Sequence, residues 1–253
     1  MIKQNLKMRY TIVLLLLIFS TIFSLCIGSV MINPIHAVTG FFLHNDFILN
    51  EYRIPRTLLG LLIGSSLAIS GSVIQGVIRN PLASPQIFGV NAGASFVIVL
   101  ITVLIPSLGS YSTILAIIGA FFGGFTVYTL SGSTKSITPV KLALAGMAIH
   151  LFFSSMTQGI ILLNEDSNDT VMFWLVGSLA GIKWNQIMMI LPCIVIAVIV
   201  TVFMGRQLTI MELGDDIARS LGQRTEIVRM IIGILVIVLA CLLYTSDAAD
   251  DSL

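Results

Sequence analysis

Two arginines, Arg53 and Arg56, are the side chains in this sequence whose spacing most clearly favours a charged partner. They stand at the head of a long apolar stretch, in Arg53-Ile54-Pro55-Arg56. Guanidinium groups form charge-assisted hydrogen bonds with carboxylates. The pair therefore predicts a docking point for an acidic surface. The alternative interpretation is that Arg56 extends to lipid headgroups.

A second set of polar residues lies inside apolar segments. Gln75 interrupts the stretch that follows the arginines, and Gly146, His150, Ser154 and Gln158 recur every four residues in a later one. Polar side chains in a membrane span tend to mark contacts or pathways. For Gln75, a hydrogen bond between helices and a place on a pathway are equally open. For His150 and Gln158 we expect a lining or packing role rather than a proton relay.

Signatures of an enzyme or a metal site are missing from the sequence. It has no GxxxxGK[ST], HExxH or GxSxG pattern. No second His, Cys or carboxylate shares the helical face of His150, so we expect no metal site. Cys26, Cys193 and Cys241 fall in apolar runs and are interpreted as small buried residues. The sequence also lacks the basic patch with interleaved aromatic residues that would indicate a nucleic-acid partner.

The composition indicates that a lipid bilayer is the solvent for most of the chain. Of its residues 57% are hydrophobic and 10% are charged, with a mean hydropathy of +1.03, whereas about a quarter of a soluble domain is charged. Hydropathy predicts an all-α membrane protein with about seven spans. They are Tyr10–Ile32, Leu58–Val77, Val90–Ile105, Thr113–Leu130, Leu142–Leu163, Trp184–Phe203 and Met230–Leu243.

The distribution of positive charge predicts the orientation of these spans. With the N-terminus in the cytoplasm, ten of the thirteen Lys and Arg residues fall inside, as the positive-inside rule requires. Arg53, Arg56 and Lys183 fall outside. The first span is too long for the core of a cleaved signal peptide, so we expect it to be retained.

Three further segments have predicted local structure. The third span begins in Asn91-Ala92-Gly93-Ala94-Ser95, which favours a short helix buried by protein rather than lipid. Pro34–Leu43 is predicted to form an interfacial helix. Asp169–Leu179 is predicted to form a re-entrant or interfacial helix, because its aromatic residues suit headgroup depth.

Small residues form a regular stripe along the second span. The stripe consists of Gly60, Gly64, Ala68, Ser72 and Gly76, one residue in every four. Small side chains let helices approach closely, and packing is the main force between helices in lipid. We therefore expect this helix to lie at the centre of the bundle, with Gly64 and Ala68 against another helix.

The longest inner loop, Arg206–Arg229, is predicted to hold two short helical pieces separated by a hinge at Gly222. Gly214 and the acids Asp215 and Asp216 open the first piece, as suits a helix N-terminus. An apolar stripe at helical spacing runs along the loop and needs something to pack against. It consists of Leu213, Ile217, Ala218 and Leu221. The stripe favours a partner protein over a merely structured loop.

Four separated stretches of the sequence together resemble one family of membrane proteins. They are RIPRTLLGLLIGSSLAISGSVIQGVIRNPLASPQIFGVNAGAS, KLALAGMAIHLFFSSMTQ, FWLVGSLAGIKW and LGDDIARSLGQR, in this order. They are similar to the signature regions of FecCD-type permeases, which are subunits of bacterial ABC importers for iron–siderophore complexes, haem and cobalamin. The resemblance covers Tyr10 to about Ala240.

The resemblance implies a type II ABC importer permease bundle of ten spans, paired as a homo- or heterodimer around a central path in the bacterial cytoplasmic membrane. It also implies an extracytoplasmic substrate-binding protein and two ATPase subunits. The ATPase subunits bind the ATP, so this chain itself needs no cofactor.

The resemblance also assigns roles to residues of this sequence. Arg53 and Arg56 match family arginines that meet acidic residues of the binding protein. Asp216, Ala218 and Gly222 occupy the Glu, Ala and Gly positions of the coupling helices that seat in the ATPase, with Asp as a conservative departure. The predicted coupling set is Gly214, Asp215, Asp216, Ile217, Ala218, Arg219, Leu221 and Gly222.

The final residues depart from the resemblance, because residues 241–253 form a polar tail unlike the family's continuation. We expect a permease domain over 1–240 that stops within its seventh span, followed by an unrelated tail over 241–253. The predicted function is inward transport of a metal chelate such as a ferric siderophore, driven by ATP hydrolysis in a partner. The alternatives are an ion-coupled secondary transporter, which usually carries an intramembrane ionisable group or ion cage, and an intramembrane enzyme, which needs a nucleophile–base or metal pair.

Overall fold

The computed structural model describes most of the chain. The described residues are 2–28, 30–34, 36, 39–40, 46–81, 83–132, 139–164, 182 and 184–247. Within these ranges the regular structure is helical and contains no strand. The predicted helix over Asp169–Leu179 lies outside the described residues, and so does much of Pro34–Leu43.

The described residues form nine α-helices. They are α1 Ile2–Cys26, α2 Ile54–Ile78, α3 Val90–Leu104, α4 Ser112–Leu130, α5 Pro139–Leu163, α6 Trp184–Phe203, α7 Gly205–Glu212, α8 Asp215–Ser220 and α9 Thr225–Asp247. A π-helical turn, Leu49–Arg53, leads directly into α2, and short 3₁₀ turns, Pro85–Phe88 and Pro106–Tyr111, precede α3 and α4.

Each of the seven predicted spans overlaps one apolar helix, namely α1 to α6 and α9. By length and composition, three helices of the described part can cross a membrane alone: Lys7–Cys26, Leu49–Ile78 and Val140–Leu163. Ile190–Phe203 and Gly205–Glu212 form a fourth candidate if this pair, bent by 54°, counts as one span. The chain is therefore a multi-pass membrane protein, although several of its helices are shorter than a bilayer is thick.

The tightest packing in the bundle joins α3 to α4 through glycines. A Cβ atom added at Gly93 would lie 2.9 Å from the Cα of Gly123 and would also strike the Gly119 carbonyl oxygen. One at Gly119 would lie 2.8 Å from the Val97 Cβ. The backbones thus touch directly, as small residues permit. The prediction that the third span is a short helix buried by protein is confirmed, since its buried residues include Ala92, Gly93, Ala94 and Ile98.

Helices α2 and α9 lie at the centre because each belongs to both large clusters of buried side chains. Val73, Ile74 and Val77 of α2 pack with Ile232 and Val236 of α9 in the cluster that also includes α3, α4 and α5. In the second cluster the same two helices meet α6. Its α2 and α9 members are Leu59, Ile63, Leu235 and Leu239. The predicted central position of the second span is consistent with this packing.

Helix α1 lies at the edge of the bundle. Only 6% of its apolar window is buried, and large side chains such as Tyr10, Leu16 and Phe19 are mostly exposed. Lipid solvates such side chains as well as a protein core does. A hydrogen bond between the Ser24 and Thr57 hydroxyls, 2.9 Å long, joins α1 to α2.

Candidate functional site

The loop that joins α6 to α9 is folded and carries two short helices, α7 and α8. The break between them falls at Gly214, whose φ of 122° and ψ of 153° belong to a region that is essentially limited to glycine. Gly222 separates α8 from α9, the last long helix. The predicted division of the loop at Gly222 is therefore wrong in part, because the two short helices meet at Gly214.

Gly222 caps α8 rather than acting as a hinge. Its φ is 80°, its N–H donates to the Arg219 carbonyl over 2.9 Å, and the Gln223 N–H donates to the Ala218 carbonyl over 2.9 Å. This paired pattern with glycine in the left-handed region is the Schellman motif. It stabilises the end of α8, which corrects the hinge interpretation.

The predicted apolar stripe of the loop divides between two environments. Ala218 is fully buried, whereas Leu213, Ile217 and Leu221 are 60%, 48% and 63% exposed. No described side chain of this chain covers these three. An ordered loop that exposes three large apolar side chains, two of them one turn apart on α8 and its C-terminal end, is suited to contact another molecule.

Asp215 fastens this loop to the membrane helices. Its Oδ1 atom lies 2.9 Å from Nη2 of Arg79, just after α2, and its Oδ2 atom lies 2.5 Å from Nη2 of Arg229 in α9. The Arg229 side chain is only 6% exposed. Asp215 and Arg79 keep 23% and 35% of their side chains exposed, so the two pairs are only partly desolvated and contribute less than fully buried ones. Sequence reasoning placed Asp215 in the loop but missed both partners, because residues 79, 215 and 229 meet only in the fold.

The other charged residues of the loop are held less firmly. Arg219 lies 3.9 Å from Glu226, with both side chains about half exposed, and its Nε atom is 3.4 Å from the Thr225 hydroxyl. Exposed pairs of this kind contribute about 1 kcal/mol or less. Asp216 is exposed.

Arg53 is buried in this structure, so contact with a docking partner would require it to leave its present hydrogen bonds, and its docking role stays a prediction. The side chain is 8% exposed, and it donates hydrogen bonds to the carbonyls of Leu25 (2.7 Å) and Cys26 (3.0 Å) and to that of Val30. The last carbonyls of a helix have no partner within it, and a nearby cation satisfies them. Arg53 therefore closes the C-terminal end of α1.

Arg56 differs from Arg53, although it is only three residues away. Its side chain is exposed, one turn into α2. Its contact with a binding protein stays a prediction.

The predicted packing stripe of α2 is largely open within the described chain. Gly64, Ala68 and Ser72 are exposed, and a Cβ atom added at Gly64 would meet nothing within 4 Å. No described helix of this chain lies against Gly64, and the expectation that Gly64 and Ala68 lie against another helix stays a prediction for the assembled protein. The packed face of α2 carries Leu59, Ile63, Ser66, Ser70, Ile74 and Val77 instead.

The Gly76 end of the stripe borders an open cleft of about 400 Å³ between α2, α6 and α7. A Cβ atom added at Gly76 would lie 3.1 Å from a carboxylate oxygen of Glu212. The cleft is lined by Ala68, Ile69, Ser72, Val73, Gly76, Thr201, Gly205, Leu208 and Glu212. Gly60, at the other end of the stripe, is half-buried. The exposed part of the stripe therefore runs from Gly64 to Ser72.

The three predicted polar residues of the spans are separate from one another. Gln75 is exposed and donates from Nε2 to the Ala83 carbonyl over 3.3 Å, so it bonds the loop after its own helix. His150 is half-buried, and no hydrogen-bond partner of its Nδ1 atom is among the described residues. Gln158 is exposed on the same helix, α5.

The cysteines and acidic residues of the described part form no metal centre. Within the described ranges no three His, Cys, Asp or Glu side chains come together as a possible metal site. Cys26 is half-buried and Cys193 is exposed. The prediction that Cys193 is buried is wrong, because an apolar surrounding sequence in a membrane helix can equally face lipid.

Comparison with known proteins decides the family. A sequence model of the FecCD transport family matches residues 16–246. The chain belongs to the FecCD transport family. The match to this family ends within α9, a few residues beyond the boundary at 240 predicted from the sequence.

Individual relatives of this FecCD-family chain are named as iron-transport permeases. The Fe(3+)-citrate import system permease protein YfmD of Bacillus subtilis (strain 168) is 40% identical over 92% of this chain and 71% of its own length. The ferric enterobactin transport system permease protein FepD of Escherichia coli (strain K12) is 38% identical over 90% of this chain and 70% of its own length.

The Iron(3+)-hydroxamate import system permease protein FhuB of Bacillus subtilis (strain 168) is 36% identical over 76% of this chain and 50% of its own length. The FecCD-family chain therefore spans between half and about three quarters of these relatives.

A solved structure agrees with the family. It is of a metal-chelate type ABC transporter in an inward-facing conformation, 26% identical to this FecCD-family chain, with a TM-score of 0.72. The likeness covers 92% of this chain and 73% of that one.

Proposed function

We propose that this chain is the permease subunit of an ABC importer that moves an iron–siderophore or related metal chelate across the bacterial cytoplasmic membrane. The family and the names of its iron-transport relatives support the class of substrate. The chelate itself is not specified by any residue described above. Its selection rests largely with a separate substrate-binding protein.

The single observation that carries the proposal is the surface of the folded loop between α6 and α9. Leu213, Ile217 and Leu221 are exposed on a segment whose neighbours Asp215 and Ala218 are held in place. A helix of six residues is not stable by itself in water, but an anchored one can insert its apolar face into a groove of a partner. The partner proposed is a separate ATPase subunit, which binds and hydrolyses the ATP.

The remaining partners follow from charge. With the N-terminus in the cytoplasm, the loop faces the cytoplasm and Arg56 faces outwards. An acidic surface of the extracytoplasmic binding protein is then the partner of Arg56. The open stripe of α2 offers surface for helices beyond this chain, including those of a second permease subunit.

The test is site-directed cross-linking in a background without native cysteines. Cysteine is introduced at Ile217 or at Leu221, and the assembled transporter is treated with a thiol cross-linker. We expect both positions to capture the ATPase subunit. The control is Thr209→Cys, which is exposed on α7 and is separated from Ile217 and Leu221 by the break at Gly214, and it should give little product.

Equal capture from all three positions would show only proximity. Absence of capture from both Ile217→Cys and Leu221→Cys, with every subunit present, would remove the proposed mechanism.

A further inference from the structure

We propose that Asp215 is a positioning residue for energy coupling: its carboxylate is the joint that passes a displacement of α8 to both α2 and α9. This inference rests on the proposed function, because it assumes that an ATPase subunit moves the loop. It adds to that function the point at which the movement enters the bundle.

The geometry of the joint is divided between two helices. One carboxylate oxygen, Oδ1, binds Arg79 beyond the end of α2, and the other, Oδ2, binds Arg229 in the first turns of α9. A single side chain therefore connects three helices. Because each oxygen has its own arginine, α8 cannot shift relative to one helix without straining or breaking a charge-assisted bond.

Both arginines are themselves held in place. Arg79 has the left-handed φ of 56°, and its backbone N–H donates to the Gln75 carbonyl at the end of α2. Arg229 is buried against the bundle, with 6% of its side chain exposed. The joint thus ends on one arginine whose backbone is fixed at the end of α2 and on one whose side chain is buried in the bundle.

The two helices that receive the joint are the ones that occupy the centre of the bundle. Ile74 of α2 and Ile232 of α9 are almost fully buried in the same cluster, and Leu59 and Leu239 belong together in the second. Packed interiors transmit displacement because they have low compressibility. A push on Ile217, two residues from Asp215, is therefore delivered to the pair of helices that contacts most of the others.

Other contacts also hold the loop, so the Asp215 carboxylate is not needed to keep α8 folded. Ala218 is fully buried, Gln223 donates from Nε2 to the Gln207 carbonyl over 3.1 Å, and the Schellman bonds close α8. These contacts hold α8 in shape without Asp215. Loss of the carboxylate charge should therefore loosen the connection to α2 and α9 while the exposed stripe stays in place.

The experiment compares Asp215→Asn with the unaltered chain in the assembled transporter, reconstituted in lipid vesicles. Three quantities are measured: cross-linking from Ile217→Cys to the ATPase subunit, ATP hydrolysis, and uptake of the ferric chelate. We expect cross-linking and hydrolysis within about twofold of the unaltered chain. The number of chelates transported per ATP should fall on the order of tenfold, within the usual range of coupling between sites.

Two further variants separate a joint from a general effect of charge. Asp215→Glu keeps both oxygens and should recover most of the coupling. Glu226→Gln removes a nearby carboxylate whose pair with Arg219 is long and exposed, and it should leave all three quantities unchanged. Arg79→Gln cuts only the connection to α2, whose arginine is 35% exposed, and it should give a smaller loss than Asp215→Asn.

Two results would overturn the inference. If Asp215→Asn loses cross-linking and hydrolysis together with transport, the residue only folds the loop. If the transported number per ATP does not change, the ion pairs carry no coupling. Failure of the proposed function itself gives a different result, because the unaltered loop with Ile217→Cys would then capture no ATPase subunit.

Discussion

Two sets of small residues at the same four-residue spacing have opposite environments in this protein. Gly89 and Gly93 of the α3 region press against Gly119 and Gly123 of α4 until the backbones touch. Gly64, in the longer stripe of α2, has nothing within 4 Å of an added Cβ atom. The spacing defines one face of a helix in both cases. It does not say whether this chain, another chain or lipid covers that face.

The same contrast holds for the paired arginines. Arg53 is used inside the protein, where it closes the end of α1, whereas Arg56 is exposed. Identical side chains three residues apart thus have different surroundings, because one lies beside the carbonyls at the end of α1 and the other does not. Both comparisons can be tested by substitutions at Gly93, Arg53, Arg56 and Gly64.

The largest effect is expected from Gly93→Ala. The added methyl group would lie 2.9 Å from the Cα of Gly123 and against the Gly119 carbonyl, and backbone atoms cannot move aside as a flexible side chain can. We expect a destabilisation of about 3 kcal/mol. In a protein of this size that lowers the thermal midpoint in detergent by roughly 6–12 °C. An unchanged midpoint would mean that α3 and α4 are further apart than described.

Arg53→Gln should have the next largest effect. The shorter neutral side chain cannot reach the carbonyls of Leu25, Cys26 and Val30 together, and hydrogen bonds that involve a charged group contribute about 1.5–3 kcal/mol each. Because water can replace part of this at the helix end, we expect a net loss of about 2 kcal/mol, measured as a lower thermal midpoint. If Arg53→Gln is as stable as the unaltered protein but binds its extracytoplasmic partner more weakly, Arg53 acts in docking and not in stabilising the end of α1.

Arg56→Glu should leave stability unchanged and act on docking alone. Exposed charge pairs contribute about 1 kcal/mol or less, which corresponds to a roughly fivefold weaker complex with the binding protein. The difference should shrink at high salt. Surface titration at two ionic strengths measures both effects, with Arg53 left intact as the control for folding. If Arg56→Glu and the unaltered chain bind the binding protein with equal affinity at low salt, Arg56 does not contact that protein. The interpretation that Arg56 extends to lipid headgroups is then favoured.

Gly64→Ala is the matched partner of Gly93→Ala and should have the smallest effect, with the opposite sign. At an uncovered helix position, Ala is favoured over Gly by about 0.5–1 kcal/mol. The thermal midpoint of the chain should therefore rise slightly or stay the same. A fall comparable to that of Gly93→Ala would show that another helix covers the stripe in the assembled protein.

The helices could be predicted from the sequence because hydropathy and length are local properties. All seven predicted spans correspond to helices, and Gly93 was correctly placed in a short buried one. The close contact between the glycines of α3 and α4 was not predicted, although Gly119 and Gly123 recur at the four-residue spacing noted in α2. In lipid no hydrophobic force distinguishes an inner from an outer apolar face, so the pattern alone could not choose between Gly64 and Gly123.

The candidate site was predicted in part. The apolar residues Leu213, Ile217 and Leu221 are exposed as their hydrophobic stripe predicted, but the break at Gly214 separates Leu213 from the other two. The link between Asp215 and Arg79 could not be predicted, because it joins residues separated by 136 positions. The hydrogen bonds of Arg53 were missed for a related reason: its partners are backbone carbonyls, which no residue type indicates.

During synthesis, α1 leaves the ribosome before Arg53, the residue that donates hydrogen bonds to the carbonyls at the end of this helix. Arg53 donates to the carbonyls of Leu25 and Cys26 and follows Cys26 by 27 positions. Unpaired carbonyls near hydrocarbon are costly, so the end of α1 gains its full set of hydrogen bonds only when the start of α2 lies beside it. We therefore expect an insertion in residues 27–52 to lower the yield of correctly inserted protein.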